Sequence, residues 1–504
     1  MNEAQLNLPY IKPNNMFLAL FPIVLLMIML ASSVMVFGGD GASGANQVAL
    51  IISGIVTICI GMYRGFSYKY LEDEFVKGIS SAITSLIILL LIGGLVASWS
   101  ISGTIPTMIS YGVHMINTDY LYLCALVVSS FVSLSIGSSW STCATIGVAF
   151  IGISNVLGLN PAITAGAIIS GAYFGDKLSP LSETTNLAST ISGVELSQHV
   201  KNMLYTTIPS IVLAGIIFTI IGLTLSDTAN SVNPESITAI DTELNKVFNI
   251  SVINLIPLVF LIVMSVMRLP TILILVTGIV TGVIIAITYQ TNTVAILSGK
   301  ENDLVNNLLY VWAAIAEGVN ANFGNDTINE LLSGGGMVSM TNTLFLVIAA
   351  VFFGSLLDAV GSLKYLLNKI SFLVRRLSLL MVTTVCTAIS LNLITGDQYI
   401  SIILPGKIYK NNYIELNVSK TLMSRSLEDG GTITSVLIPW HSCAVFISGV
   451  LGISTLDYLP YCLFNIINPI LAIIVALFFI KYFNISLNKF EKEAEEEAGI
   501  VKCK

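Results

Sequence analysis

Long apolar runs separated by short polar connections dominate this 504-residue chain. A run of about 20 apolar residues is long enough for a helix to cross the hydrocarbon core of a bilayer. Such runs lie near 16–37, 47–63, 79–98, 119–137, 161–175, 200–226, 250–267, 270–289, 307–323, 338–360, 378–396 and 456–483, with interrupted pieces near 397–411 and 430–453. The pattern predicts an all-α polytopic membrane protein with about 11 to 13 transmembrane segments, some of them broken or re-entrant.

A hydrophilic stretch at 227–249 is the longest polar interruption in the middle of the chain. It divides the predicted membrane domain into an N-terminal half, 1–226, and a C-terminal half, 250–483. Residues 484–504 form a charged tail, which is typical of a solvated helix end on the cytosolic side.

Composition agrees with a multi-pass protein of the cell membrane that is surrounded by lipid. Hydrophobic residues make up 55% of the chain and charged residues only 10%, whereas soluble domains carry about 25% charged residues. The net charge of -7 argues against a nucleic-acid partner.

An acidic, proline-containing motif interrupts the apolar run that begins at Pro161. From Gly175 the chain reads Gly-Asp-Lys-Leu-Ser-Pro-Leu-Ser-Glu-Thr-Thr-Asn. Charged side chains within a bilayer are costly, and Pro180 lacks a backbone donor. We therefore expect this motif to face a polar cavity or a polar partner, which makes it the first candidate for a binding site.

Similar features recur at an offset of 293 residues. Gly103 and Gly396 each end an apolar run, and Gly137 and Gly430 follow them at equal spacing. Interrupted helices at matching positions in two halves are typical of secondary transporters, whose sites form between the repeats. The sequence thus predicts a repeated architecture, with chance similarity between apolar helices as the alternative.

Hydroxyl groups cluster beside glycine in both halves. The clusters are Ser138, Ser139, Ser141 and Thr142 in the first half, and Gly430, Gly431, Thr432 and Thr434 in the second. Sodium favours hard oxygen ligands, which hydroxyls and exposed carbonyls supply. We interpret the clusters as the tips of hairpin-like elements, although small residues at such positions also serve close helix packing.

Ionisable side chains are scarce and adjoin the interruptions. The carboxylates are Asp176, Glu183, Asp397, Glu428 and Asp429, and the cationic or titratable groups are Lys177, Arg425 and His441. A carboxylate that holds either a proton or a cation is sufficient for antiport. Asp397 could equally cap a half-helix. Lys177 and Arg425 either pair with carboxylates or receive an organic anion, and His441 either contacts a substrate or is structural.

The sequence contains no pattern typical of an enzyme. No Lys-Ser/Thr pair follows Gly334-Gly335-Gly336, so this segment is not a phosphate-binding loop and no ATP drive is indicated. Cysteine spacing indicates neither a zinc site nor another transition-metal site. We expect no cofactor.

The motifs resemble those of the NhaC-type sodium/proton antiporter family, which includes malate/lactate-type exchangers and belongs to the wider ion-transporter superfamily. The resemblance rests on Gly175–Asn186, Ser102–Met108, Gly137–Thr142, Thr395–Tyr399 and Leu427–Thr434, in the expected order over most of the chain. It implies two inverted repeats with re-entrant hairpins, an elevator mechanism and a homodimer in a bacterial-type inner membrane.

The resulting hypothesis is a sodium/proton antiporter in which Asp176 and Glu183 carry the competition between proton and cation. Ser179, Ser182, Thr185 and Asn186 complete the first-half site, and Asp397, Asp429, Thr432 and Thr434 belong to the second. One alternative is a sodium- or proton-coupled transporter of a carboxylate or an amino acid. The other is a membrane receptor or channel-like protein that does not transport.

Overall fold

The computed structural model describes residues 12–37, 44–229, 242–267, 269–320, 329, 333–373 and 376–479. Helices in the N-terminal half are α1 Met16–Phe37, α2 Ala45–Arg64, α3 Tyr68–Ile101, α4 Thr104–Met115, α5 Leu121–Ile136, α6 Ser139–Val156, α7 Pro161–Leu178, α8 Glu183–Ser192 and α9 Leu196–Ala229. Those in the C-terminal half are α10 Ile256–Val266, α11 Thr271–Thr288, α12 Thr291–Ser298, α13 Leu304–Glu317, α14 Thr341–Ala359, α15 Ser362–Leu373, α16 Leu377–Thr395, α17 Gln398–Glu415, α18 Lys420–Leu437, α19 Ser442–Leu451 and α20 Leu463–Ile474.

The all-α membrane architecture predicted from the sequence is confirmed. Within the described ranges, 9 helices are long and apolar enough to cross a bilayer, and the number reaches 11 if each of two bent pairs is one span. The count of 11 agrees with the lower end of the expected range of 11 to 13. Two of the predicted spans, 250–267 and 307–323, form the shorter apolar helices Val252–Val266 and Leu304–Glu317.

Two of the predicted segments fall largely on residues that the structure leaves undescribed. The charged tail, 484–504, lies outside the described residues. So do residues 230–241, which make up most of the polar linker at 227–249. The inverted relationship of the halves stays a prediction.

Close backbone contact between α5 and α7 fixes the position of the acidic motif at the end of α7. A side chain at Gly171 would meet the carbonyl oxygen of Leu126 at 2.2 Å, and one at Gly175 would meet the nitrogen of Leu134 at 2.4 Å. The two helices approach this closely because both positions lack a Cβ. The residue after Gly175, Asp176, is thereby held beside the end of α5.

Glycines in the left-handed conformation end three of the helices next to the core. Gly103 ends α3 with φ 74, Gly137 ends α5 with φ 76 and Gly396 ends α16 with φ 63. A new helix begins within two residues of each one. Gly103 and Gly396, which the sequence comparison paired, therefore share one local conformation, whereas Gly430 does not share that of Gly137.

The second predicted hairpin tip, which contains Gly430 and Gly431, does not lie at a chain reversal. Residues Glu428–Thr432 form a π-helical segment inside α18, and the chain breaks later, at 438–441. The break falls there because Pro439 disfavours helical conformation at the preceding residue, and Ile438 is accordingly extended, with φ -108 and ψ 113. Gly430 and Gly431 thus lie within a helix and not at a chain reversal.

Candidate functional site

A cavity of about 560 Å³ lies between two groups of helices. Residues of α3, α10, α11 and α14 form one wall. The other wall combines the start of α6, the α7–α8 break, the start of α17 and the start of α19. The starts of four helices, α6, α8, α17 and α19, and the end of α7 therefore converge on one space, and they supply all of its carboxylates.

Asp176 is the buried carboxylate of this cavity. Its side chain is 8% exposed, and it lines the cavity together with Ser138, Ser139 and Ser141. The backbone nitrogen of Ser139 donates a hydrogen bond of 3.0 Å to Asp176 Oδ2, and the Ser139 hydroxyl donates one of 2.7 Å to the same oxygen. The first predicted tip therefore positions the acidic motif, as the start of α6 meets the end of α7.

The break between α7 and α8 is held by its own polar side chains. Ser182 caps α8, with its hydroxyl 3.5 Å from the donating nitrogen of Thr185. The Thr185 hydroxyl donates to the Lys177 carbonyl at 3.0 Å, and the Asn186 amide donates to the Ser182 carbonyl at 2.7 Å. The Ser179 hydroxyl accepts a hydrogen bond of 3.3 Å from the backbone nitrogen of Leu181. Of these four predicted site residues, only Ser182 lines the cavity.

Two further carboxylates line the cavity at helix starts. Asp397 caps α17, where it accepts a hydrogen bond of 2.8 Å from the nitrogen of Ile400. Glu183 opens α8 and accepts a bond of 2.5 Å from the Tyr399 hydroxyl. Negative side chains stabilise helix N-termini, where the backbone dipoles leave partial positive charge. Asp397 therefore both caps α17 and lines the cavity.

Lys177 points away from the cavity into a buried polar cluster. It forms an ion pair with Asp429, and both side chains are fully buried. Asn468 donates to Asp429 at 2.8 Å and accepts from Lys177 at 3.2 Å, while the Thr206 hydroxyl lies 3.3 Å from both Asp429 oxygens. These contacts join α7, α9, α18 and α20, and they favour the counter-ion interpretation of Lys177.

Arg425 and Glu428 extend the same buried cluster. Arg425 donates a hydrogen bond of 3.1 Å to Asn202 and lies 4.0 Å from Asp429 Oδ2. Glu428 accepts a bond of 3.1 Å from the hydroxyl of Thr184, a residue that also lines the cavity. Two cationic and two acidic side chains are thus buried together, an arrangement in which opposite charges compensate the loss of hydration.

His441 and the π-helical segment meet at Asn392. The Asn392 amide donates to the Gly431 carbonyl at 2.6 Å and to Thr434 Oγ1 at 3.1 Å. Its oxygen lies 3.2 Å from His441 Nε2, while His441 Nδ1 accepts a bond from the nitrogen of Cys443 and caps α19. Both ring nitrogens of His441 therefore contact the protein itself.

The structure divides the sequence-predicted residues into two groups. Those that line the cavity are Asp176, Ser138, Ser139, Ser141, Ser182, Glu183 and Asp397. Those buried or placed beside it are Ser179, Thr185, Asn186, Thr142, Gly430, Gly431, Thr432, Thr434, Asp429, Lys177, Arg425 and His441. Only the first group has side chains in the cavity wall, so it forms the candidate site.

Sequence reasoning assigned no role to several residues of the site and its support. Tyr399 and Thr184 line the cavity, while Asn392, Asn468 and Thr206 hold the buried polar contacts. The position of Tyr399, two residues after the candidate Asp397, could have identified it as part of the site. An asparagine within an apolar run, such as Asn392 or Asn468, is a second signal, because a buried amide needs polar partners.

Comparison with known proteins identifies the family. The model of the Na+/H+ antiporter family matches residues 171–480. The Na+/H+ antiporter NhaC of Alkalihalophilus pseudofirmus is 35% identical over 85% of this chain and 89% of its own. The malate-2H+/Na+-lactate antiporter of Bacillus subtilis is 34% identical over 85% of this chain and 88% of its own. The arginine/ornithine antiporter ArcD of Halobacterium salinarum is 32% identical over 91% of this chain and 90% of its own.

These relatives are antiporters and not enzymes. Their similarity covers both halves of the chain. The apolar helices make this a multi-pass membrane protein, and the family and the relatives make it a secondary transporter. The chain belongs to the Na+/H+ antiporter family.

Proposed function

We propose that the protein exchanges sodium for protons and that the two ions compete for Asp176. The observation that carries the proposal is the placement of this carboxylate, which is buried yet lines the cavity and is oriented by Ser139. A bound cation favours the ionised carboxylate, whereas protonation removes the charge that attracts the cation. Occupancy by one ion therefore opposes occupancy by the other.

Neighbouring oxygen atoms complete the proposed sodium site. The hydroxyls of Ser138 and Ser182 and the carboxylates of Glu183 and Asp397 share the cavity with Asp176. Hard oxygen ligands of this kind suit sodium. The ion is the transported substrate here, so its ligands must also release it on each cycle.

Exchange of a small carboxylate together with sodium is the second candidate, suggested by the similarity to the malate-2H+/Na+-lactate antiporter. Among the described residues that line the cavity, none is lysine, arginine or histidine. Lys177 is paired with Asp429 in the interior. An organic anion would therefore have to enter with a cation that offsets the negative wall, which makes simple cation exchange the better-supported function.

Alternating access is expected to follow from relative movement of the two cavity walls. The candidate ligands all lie on the wall formed by α6, the α7–α8 break, α17 and α19. An elevator movement of this wall against α3, α10, α11 and α14 would carry the site across the bilayer. A homodimer, with the static wall on the side of the partner, fits the same mechanism.

Proteoliposomes that contain the purified protein and an internal pH-sensitive dye test the proposal. A sodium pulse should move protons in the opposite direction. The same assay with lithium and with potassium measures the cation selectivity of the exchange. Malate, lactate and arginine are then added separately to test the second candidate. Proton movement that ignores sodium would refute sodium/proton exchange, and absence of counterflow for every solute would indicate a receptor.

A further inference from the structure

The two walls of the cavity differ in chemical character. The wall that holds the candidate ligands presents the carboxylates Asp176, Glu183 and Asp397. Among the described lining residues this negative charge faces no cationic side chain. When these carboxylates are ionised, a ligand that fills the space beside them is favoured if it brings positive charge, because unpaired like charges in a partly desolvated space repel one another.

The opposite wall carries no charged side chain among the described lining residues, and its apolar side chains outnumber the hydroxyls of Ser81, Ser85, Ser265, Thr271 and Ser355. It includes Leu261 of α10, Ile274 and Leu275 of α11, and Val347 and Val351 of α14. A sodium ion with oxygen ligands gains nothing from these side chains. An alkyl group placed against them would be removed from water, which is favourable in proportion to the apolar area buried.

The size of the cavity also exceeds what a single metal ion needs. Its volume of about 560 Å³ lies within the range of roughly 300 to 1,000 Å³ that is typical of small-molecule sites. Trp140 is among the lining residues, and indole is the side chain that attracts organic cations most strongly through its ring face. Volume, charge and lining thus agree on a ligand with a cationic head and an apolar tail.

We propose that the cavity binds small organic cations that carry an alkyl tail, in competition with sodium. The cationic head occupies the position beside Asp176 and Glu183, and the tail lies against Leu261 and Val347. This inference rests on the proposed function, because it assigns a ligand class to the same site. No covalent step is involved, and the cation binds by ion pairing and apolar contact.

The test measures uptake of radioactive sodium by proteoliposomes in the presence of N-alkylguanidinium ions, from guanidinium itself to N-butylguanidinium. Guanidinium groups stay charged at the pH of the assay, so these ions do not carry protons across the membrane by themselves. We expect competitive inhibition that raises the sodium KM, leaves the maximal rate unchanged and strengthens by up to about fourfold per methylene. A carboxylate series from acetate to valerate, with matching tails, should not compete.

A substitution in the apolar wall tests the position of the tail. In Leu261→Ser the ratio of the inhibition constant of guanidinium to that of N-butylguanidinium should fall. The control is Leu213→Ser, which replaces an exposed leucine of α9 outside the cavity. In this control the ratio should stay as in the wild type. Because each ratio is taken within one variant, a change in basal transport cancels.

The outcomes separate this inference from the proposed function. If the wild type exchanges sodium for protons but alkylguanidinium ions do not compete, or compete without dependence on chain length, the organic-cation inference is wrong and the antiport proposal stands. Absence of sodium/proton exchange in the wild type would instead overturn the proposed function, and the inference with it.

Discussion

The Tyr399 hydroxyl donates a hydrogen bond of 2.5 Å to Glu183 Oε2 beside the cavity. Glu183 is the first residue of α8 and Tyr399 is the second residue of α17, so this bond joins the N-terminal half to the C-terminal half. Glu183 is solvent-exposed, and a long glutamate side chain without a partner samples several rotamers. Tyr399 therefore fixes the direction in which this carboxylate points.

Loss of the tyrosine hydroxyl should weaken sodium binding without unfolding the protein. In Tyr399→Phe we expect the sodium KM to rise by roughly fivefold, which corresponds to about 1 kcal/mol for one hydrogen bond. Sodium uptake by proteoliposomes measures the change. Tyr409→Phe is the matched control, because its hydroxyl bonds Thr387 in the core and lies outside the cavity. An unchanged KM in Tyr399→Phe would show that Glu183 needs no such support.

The Ser139 hydroxyl should matter for the orientation of Asp176. Ser139→Ala removes the hydroxyl bond of 2.7 Å and keeps the backbone bond of 3.0 Å. A hydrogen bond to a charged group contributes about 1.5 to 3 kcal/mol, so we expect the sodium KM to rise by roughly tenfold or more. Ser135→Ala, whose hydroxyl bonds only the Phe131 carbonyl of its own helix, should behave as the wild type. Equal KM values in both variants would contradict the assigned role of Ser139.

The broad architecture could be predicted from sequence because the bilayer constrains it strongly. The predicted run at 378–396 is observed as Leu377–Thr395, and the acidic motif does interrupt a helix at Ser179–Ser182. The sequence did not separate helices shorter than a full span from spans, since Leu304–Glu317 is apolar but ends at Gly318 after 14 residues.

The site was predicted less completely, for a geometric reason. Adjacent residues on a helix point in directions about 100° apart, so Asp176 faces the cavity while Lys177 faces Asp429 across the buried cluster. Which neighbour faces which space depends on helix rotation, and rotation is set here by the packing of Gly171 against α5. The sequence identified the motif, but it could not show that Asp176 lines a cavity whereas Lys177 forms a buried ion pair.

The ion pair between Lys177 and Asp429 should be essential for stability. Lys177→Met or Asp429→Asn alone leaves a buried charge without its partner, and we expect a loss of about 3 to 5 kcal/mol in unfolding free energy. The double variant Lys177→Met/Asp429→Asn should lose less than the sum of the single variants, because each substitution removes the charge that the other one leaves without its partner. Thermal unfolding in detergent measures the three variants.

Additive losses in the double variant would show that the two side chains act independently. If the double variant folds and loses sodium exchange as well, the sequence-based prediction of Asp429 as an ion ligand gains direct support. Retained exchange would instead leave Asp429 with the structural role that its contacts indicate.

His441 should act as a helix cap and not as a substrate ligand. His441→Ala removes the cap of α19 and the contact with Asn392, and we expect a loss of about 1 kcal/mol or more in stability. His441→Asn can cap the helix and should recover most of this loss. Thermal unfolding and inhibition of sodium uptake by malate, lactate and arginine are measured together. A selective change in the response to one organic solute, with stability intact, would identify His441 as a substrate contact after all.

Sodium-dependent proton flux in proteoliposomes that contain Asp176→Asn shows whether sodium and protons compete for this carboxylate. Asp457→Asn, at an exposed aspartate that does not line the cavity, is the matched control, and thermal unfolding verifies that both variants are folded. Folded Asp176→Asn should lose sodium-dependent proton flux, while Asp457→Asn should exchange the two ions at the wild-type rate. Undiminished exchange in folded Asp176→Asn would contradict the claim that sodium and protons compete for this carboxylate.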